Sequence, residues 1–239
     1  MISFIIPAFN ESKFLAATLE TINTAVSEVE NINKFEIIII DDCSKDSSEE
    51  VINNLKLRHN NIVFAKNEKN SGMGFSIKKG IKLVKYEKFM ILPGGNDVSP
   101  NAIASSLKFY NIADLVMQYP LNNEERDKFR NIMSKIYSLI YIIFFDCNVN
   151  YINGCSIFPT KKVLELKLNS NRHGILSEIV TKLLRENITY CEVPIFYKFP
   201  RKARSTINFK NLFDVTKSFI FLFIDLKIRN KTPIKAKRK

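Results

Sequence analysis

Phe35-Glu36-Ile37-Ile38-Ile39-Ile40-Asp41-Asp42-Cys43-Ser44-Lys45-Asp46 is an apolar run that ends in paired carboxylates. Four consecutive isoleucines lack the alternation of a half-solvated strand. They match a parallel strand buried on both faces, and such strands need helices on either side. The flanking sequence supplies them. Apolar stretches at 2–7, 62–65, 88–92 and 113–117 read as strands, and 11–27, 47–58, 73–85 and the segment after Pro100 read as helices. This βαβ rhythm predicts a doubly wound, mostly parallel sheet that binds ligands at the carboxyl ends of its strands. Further on, 150–158 and 188–197 read as strands with a helix at 174–186 between them. The ten residues Ile136–Phe145 are apolar but for one serine, too short to span a bilayer and suited to a core or interfacial helix.

Composition narrows the class. The 239 residues are 46% hydrophobic and 25% charged, with seven Gly and eight Pro, which excludes disordered and collagenous chains. The formal charge of +12 is unevenly spread. From Lys198 onward thirteen Lys and Arg face only Asp214 and Asp225, so the tail carries nearly all the excess. That tail interleaves its cations with Phe, Ile and Leu at helical spacing over 208–229, which fits a helix lying on an anionic membrane surface. No nucleic-acid partner is expected. Cys43, Cys147, Cys155 and Cys191 are scattered and read as reduced thiols. His59 and His173, the only histidines, read as solvated loop residues, which disfavours a histidine triad or a multi-histidine metal site. Met1-Ile2-Ser3 leads straight into an apolar strand, with neither a basic leader region nor a cleavage site.

Three loops are expected to gather at one sheet edge. Pro7 ends the first strand, and Asn10 and Glu11 offer an amide and a carboxylate, or simply a helix cap. Asp41 and Asp42 are costly to group at a buried strand end unless they meet a ribose diol, a base N–H or a metal; the alternative is a solvated, helix-capping turn. The third loop, Asn70-Ser71-Gly72-Met73-Gly74, runs to Gly80 and can bring backbone N–H groups close to a phosphate. It is neither a dinucleotide fingerprint nor a Walker loop.

In this order the loops resemble the family 2 inverting glycosyltransferases of the GT-A fold, in particular the dolichyl/polyprenyl-phosphate sugar synthase-like branch. Pro7, Asn10 and Glu11 match the family's Pro-x-x-Asn-Glu; Asp41, Asp42, Ser44 and Asp46 match Asp-Asp-x-Ser-x-Asp; Asn70, Gly72 and Gly74 match Asn-x-Gly-x-Gly. Arg130 with Ser134, Glu178, and Glu192-Val193-Pro194-Ile195 with Tyr197 fall on further family positions. The resemblance implies an α/β GT-A (Rossmann-like) domain over 1–207, with a nucleotide-sugar-binding half at 1–118 and an acceptor half at 119–207, followed by an amphipathic basic tail at 208–239. It implies a UDP- or GDP-linked sugar donor bound by Pro7, Asn10, Glu11, Asp41, Asp42, Ser44, Asn70, Gly72 and Gly74. It also implies Mg²⁺ or Mn²⁺, which the family holds with an Asp-x-Asp motif. Counting back from Pro100, Pro93 and Gly95 stand at those two positions, leaving Asp97 and Asn96, two residues displaced, as the oxygen ligands.

A sugar hydroxyl acceptor needs a carboxylate base, whereas a polyprenyl phosphate is ionised at neutral pH and attacks without one. No catalytic Asp stands out beyond the nucleotide loops, which favours the lipid phosphate. Arg130, Arg201, Lys202, Arg204 and Ser205 are then the phosphate-facing candidates, with Asp97 beside the donor, and the work is done peripherally at the cytoplasmic membrane face. The alternatives are a glycan-extending transferase with a sugar hydroxyl acceptor, and a nucleotide-sugar-binding module without catalysis.

Overall fold

A computed structural model describes residues 1–122, 125, 127–198, 209–229 and 233–239. The run of isoleucines is the inner strand it was expected to be. In β2 (Phe35–Asp41), Ile37 and Ile39 enter one hydrophobic core and Ile38 and Ile40 the other, all at most 1% exposed. The sheet thus separates two cores, each closed by helices. Its neighbours are β1 (Ile2–Ala8), β3 (Ile62–Lys66) and β4 (Lys88–Ile91), and these four strands are mutually parallel. Beyond β4 come β6 (Ile157–Pro159), β5 (Leu115–Pro120), β7 (Thr189–Ile195) and β8 (Lys237–Arg238), giving the order β3-β2-β1-β4-β6-β5-β7-β8. Only β6 runs against its neighbours.

The helices are α1 (Leu15–Ser27), α2 (Ser48–Arg58), α3 (Met73–Ile81), α4 (Pro100–Lys108), α5 (Lys128–Phe145), α6 (Thr160–Glu165), α7 (Ile175–Leu183) and α8 (Phe209–Phe223), the last continuing as a π-helical turn over Ile224–Arg229. Ser99 caps α4, its hydroxyl accepting from Ala102 N–H at 3.2 Å, with Pro100 at the first turn. Strand order reverses between β1 and β4, so the loops after these two strands part and open a crevice. Register brings Ala8, Asp41 and Lys66 into one row at the carboxyl edge.

Four expectations are corrected here. Pro7 does not end the first strand, which continues to Ala8; its missing N–H falls on the β4 side, where β4 has already stopped at Ile91. The strand foreseen at 150–158 is confined to Ile157–Pro159; at Gly154 the chain instead lies so close to β5 that a Cβ would stand 2.2 Å from Gln118 O. The apolar stretch 136–145 belongs to a longer helix that starts at Lys128, capped by Asp127 accepting from Arg130 N–H at 3.0 Å. Finally, the tail ends in a strand: β8 pairs in parallel with β7, and Arg238 meets the Glu192 carboxylate, 1% exposed, at 3.1 Å. Leu222 and Leu226 join the second core, and Phe219 packs edge-on against Phe144 and Phe145 of α5 at 5.5 and 5.2 Å.

Candidate functional site

The loops after β1 and β2 are braced together by their own polar groups. Asn10 N–H donates to Ser44 Oγ at 2.9 Å, and Asn10 Oδ1 accepts from Lys45 N–H at 2.8 Å. Glu11 N–H donates to Ser48 Oγ at 3.1 Å, and Ser12 N–H to Asp46 Oδ2 at 3.1 Å. Burial alone would push the Asp46 carboxyl up, but hydrogen bonds from Ser48 and Ser12 outweigh it and draw it down to about 2. Asn10, Cys43 and Asn96 hold φ angles of 56°, 62° and 57°. Left-handed backbone is thus found at the ends of β1, β2 and β4, and for Cys43, which lacks the local hydrogen bonding of Asn, the geometry is costly.

The adjacent carboxylates have separate fates. Asp42, 4% exposed, is consumed internally: Oδ1 accepts from Asn67 Nδ2 at 2.8 Å and Ser71 N–H at 2.9 Å, and Oδ2 from Gly72 N–H at 2.7 Å. Asp41, fully buried, uses Oδ1 for the Ser44 N–H at 3.1 Å and the Ser44 hydroxyl, while its Oδ2 has no partner among the described residues. A buried carboxylate oxygen without a partner is uncommon in folded proteins. Asn67, 3% exposed, was not foreseen; it donates to both Asp42 and Ser76 Oγ, at 2.8 and 2.9 Å. Its signal in the sequence is one amide directly after β3, at the edge where the Asp pair ends β2.

Gly72 and Gly74 were expected to bring N–H groups near a phosphate. What approaches them is the chain itself. A Cβ on Gly72 would lie 2.6 Å from Asn171 O, and one on Gly74 would lie 2.7–2.9 Å from backbone atoms of Asn171 and Arg172; Gly72 also has φ +94°. The Phe75 N–H donates to Asn171 O at 3.0 Å. The start of α3 is therefore closed by residues 171–172, and Asn70 stands exposed beside it.

In the loop after β4, Asn96 is turned to α1, its amide oxygen accepting from Thr21 Oγ1 at 2.8 Å. That oxygen fastens the loop to α1. Asp97 turns back over Gly95. A Cβ there would meet Asp97 Oδ2 at 3.2 Å and Glu11 Oε2 at 3.7 Å, so these two carboxylates converge on the space that a side chain at 95 would fill. Among the described residues no group of three or more His, Cys, Asp or Glu gathers to hold a metal. Two carboxylates alone do not make a protein-only Mg²⁺ or Mn²⁺ cage; such an ion would take its remaining oxygens from substrate phosphates and water.

Arg130 lies half-buried in the first turn of α5, past the carboxyl end of β5. Arg201, Lys202, Arg204 and Ser205 lie outside the described residues. Glu178 is a structural clamp, 3% exposed, accepting from Asn169 N–H at 3.0 Å and Ser170 N–H at 2.8 Å and paired with Lys182 at 3.1 Å. His173 is not the solvated residue expected: burial, then the neighbouring Arg172, lower its pKa, with Asp214 opposing.

Residues 3–148 match the family model described as Glycosyl transferase family 2. The minor teichoic acid biosynthesis protein GgaA of Bacillus subtilis is 30% identical over 207 residues, which cover 82% of this chain and 42% of GgaA. The dolichyl-phosphate beta-glucosyltransferase ALG5A of Trichomonas vaginalis is 36% identical over 94 residues, covering 38% of this chain and 29% of ALG5A. The chain thus spans less than half the length of either relative. Glucosyl-3-phosphoglycerate synthase from Mycobacterium tuberculosis, solved with Mn²⁺, UDP and phosphoglyceric acid, shares the fold with a TM-score of 0.68 over 94% of this chain and 78% of that one, at 12% identity.

Proposed function

Because the chain belongs to glycosyl transferase family 2, we propose that it moves a sugar, with inversion, from a UDP- or GDP-linked donor to a polyprenyl-phosphate-type lipid at the cytoplasmic face of a membrane, to which it binds peripherally. On the donor side the open Asp41 Oδ2 accepts an N–H of the base or a hydroxyl of the ribose, while Asp42 holds the loop that walls the crevice. The acceptor phosphate is already anionic and needs no base. The chain's contribution is placement and charge balance by Arg130 and the cations of 201–204.

One observation carries the lipid reading. Along α5, Phe129, Ile132, Ile136, Leu139 and Ile143 are 45–62% exposed and recur every three or four residues, so they form a single stripe. Beside it α8 and the turn that follows expose Phe213, Ile220, Phe221 and Ile228. The two helices are locked side by side by Phe144, Phe145, Phe219 and Phe223. Lys128, Lys135, Lys217 and Arg229, on the same helices and the turn that follows, are exposed. Among the described residues no helix is long and apolar enough to cross a membrane. A two-helix apolar face accompanied by exposed cations suits a surface that dips into the headgroup boundary of an anionic leaflet. It starts beside the carboxyl edge of the sheet, where a lipid phosphate would meet the donor.

The test incubates the protein with radiolabelled UDP- and GDP-sugars and vesicles containing polyprenyl phosphate. Label is expected in the organic-extractable fraction. Label found only in water-soluble glycan would refute the lipid acceptor and favour glycan extension; nucleotide binding without turnover of any donor would favour a non-catalytic module. In parallel, Ile136→Asp with Ile143→Asp should release the protein from anionic vesicles in co-sedimentation while UDP affinity stays unchanged.

A further inference from the structure

Between α3, α6 and the segment 166–171 lies a groove of about 650 Å³. Its apolar side is Phe75 with Leu164, Leu166 and Leu168, backed by Ile81 and Val163 of the second core. Phe75 and Leu164 are 41% and 54% exposed, so this side is reachable from outside. Its polar side is Asn171 with Lys78 and Lys79 of α3 and Lys82, which caps that helix. No carboxylate lines it, and none of its residues belongs to α5 or α8. The volume lies within the ~300–1,000 Å³ of small-molecule sites. Its ten lining residues fall short of the ~20–30 that a protein interface uses on each side.

The three lysines are not equivalent. Lys79 Nζ is turned to Lys66 O at 2.6 Å and Asn67 Oδ1 at 3.2 Å. Lys78 Nζ donates to the neutral Asn171 Oδ1 at 2.7 Å and lies 3.5 Å from Leu168 O, both on residues that line the groove. Burial lowers the Lys78 pKa; Glu178 opposes the fall and Lys82 adds to it. Lys82 is exposed and, among the described residues, has no hydrogen-bond or ion-pair partner. It stands four residues after Lys78, the spacing at which like charges on a helix repel. The helix dipole favours cations in a last turn, but it does not explain why these line an apolar groove. An anion offsets a partly desolvated pair of cations, and a hydrocarbon chain covers Phe75 and the three leucines.

We propose that this groove binds an anionic amphiphile with a single hydrocarbon chain, its head at Lys78 and Lys82 and its chain along Phe75, Leu164, Leu166 and Leu168. A neutral or cationic amphiphile would leave the lysine pair without a counter-charge, and a free phosphate would leave the apolar side bare. The inference goes beyond the transferase reading and does not rest on a lipid acceptor, since none of these residues is given a part in the transfer.

Isothermal titration of the full chain with hexyl, octyl and decyl phosphate, each below its micelle concentration, tests it beside inorganic phosphate, decyltrimethylammonium and decyl maltoside. One molecule should bind per chain, with affinity rising by up to about fourfold for each added CH₂ that the apolar side buries. Lys82→Glu and Leu164→Asp should each weaken decyl phosphate about tenfold or more, through a lost bond to a charged group and a lost apolar contact. Both should keep the wild-type unfolding midpoint, because both residues are exposed. If Leu164→Asp shifts the midpoint, Lys82→Glu decides. Ile136→Asp with Ile143→Asp should leave the titration unchanged, which separates the groove from the face on α5 and α8. Organic-extractable label in the transfer assay reports only on the transferase reading, so the two can fail separately. The proposal is overturned if no alkyl phosphate binds one to one, if inorganic phosphate or either uncharged or cationic amphiphile binds as tightly as decyl phosphate, if Lys82→Glu binds as wild type does, or if the α5 double variant abolishes binding.

Discussion

Exchanging one carboxylate oxygen for an amide in each of Asp41 and Asp42 should give opposite phenotypes. In Asp42→Asn the amide oxygen can still receive Asn67 and Ser71, but the new NH₂ faces the Gly72 N–H that Oδ2 accepted at 2.7 Å. One charge-assisted bond is lost and a buried N–H is left facing another donor, a cost of about 1.5–3 kcal/mol. For a chain of this size that lowers the unfolding midpoint by about 3–12 °C. In Asp41→Asn the retained oxygen keeps Ser44, and the exchanged atom has no partner among the described residues, so one unpaired polar atom replaces another. Stability should move by less than about 1 kcal/mol, but a donor from the nucleotide would now face an NH₂. UDP or GDP affinity, whichever the wild type binds, should drop about 10- to 150-fold for a lost hydrogen bond to a charged group. Differential scanning calorimetry and isothermal titration on the two variants measure both quantities. Wild-type nucleotide affinity in Asp41→Asn, or an unshifted midpoint in Asp42→Asn, would refute the division of labour.

Gly74→Ala places a methyl 2.7–2.9 Å from the backbone of Asn171 and Arg172, where no flexible side chain can yield, and should destabilise by about 1–3 kcal/mol in urea unfolding. Asp46 titrates near 2 in the folded protein against 3.8 in a free chain, so its contribution is complete above about pH 4 and disappears as pH falls toward 2. Asp46→Asn should therefore lower stability at neutral pH and flatten the acid limb of the stability–pH curve; an unchanged limb would show that the bonds from Ser12 and Ser48 contribute nothing in solution.

The sheet and its cores were legible because they rest on local pattern. Ile37–Ile40 can be buried only from both sides, and polar residues just past each strand mark the carboxyl edge whatever the helices do. The assignment of work within that edge was not legible. Asp41 and Asp42 are chemically identical neighbours, and pleating points them into different surroundings, one toward Asn67 and Gly72, the other toward Ser44 with an oxygen to spare. Gly72 and Gly74 read as a phosphate cradle because backbone freedom is all a glycine shows in sequence; the occupant, Asn171–Arg172, comes from about a hundred residues along the chain. The basic tail could be counted but not located, and Arg238 finds its place because β7 offers an unpaired edge beside the buried Glu192. Hydrophobic periodicity is a property of neighbouring residues, so the sequence alone determined the layers. Which polar atom is satisfied and which is left open depends on contacts between segments far apart, and only the tertiary structure decides that.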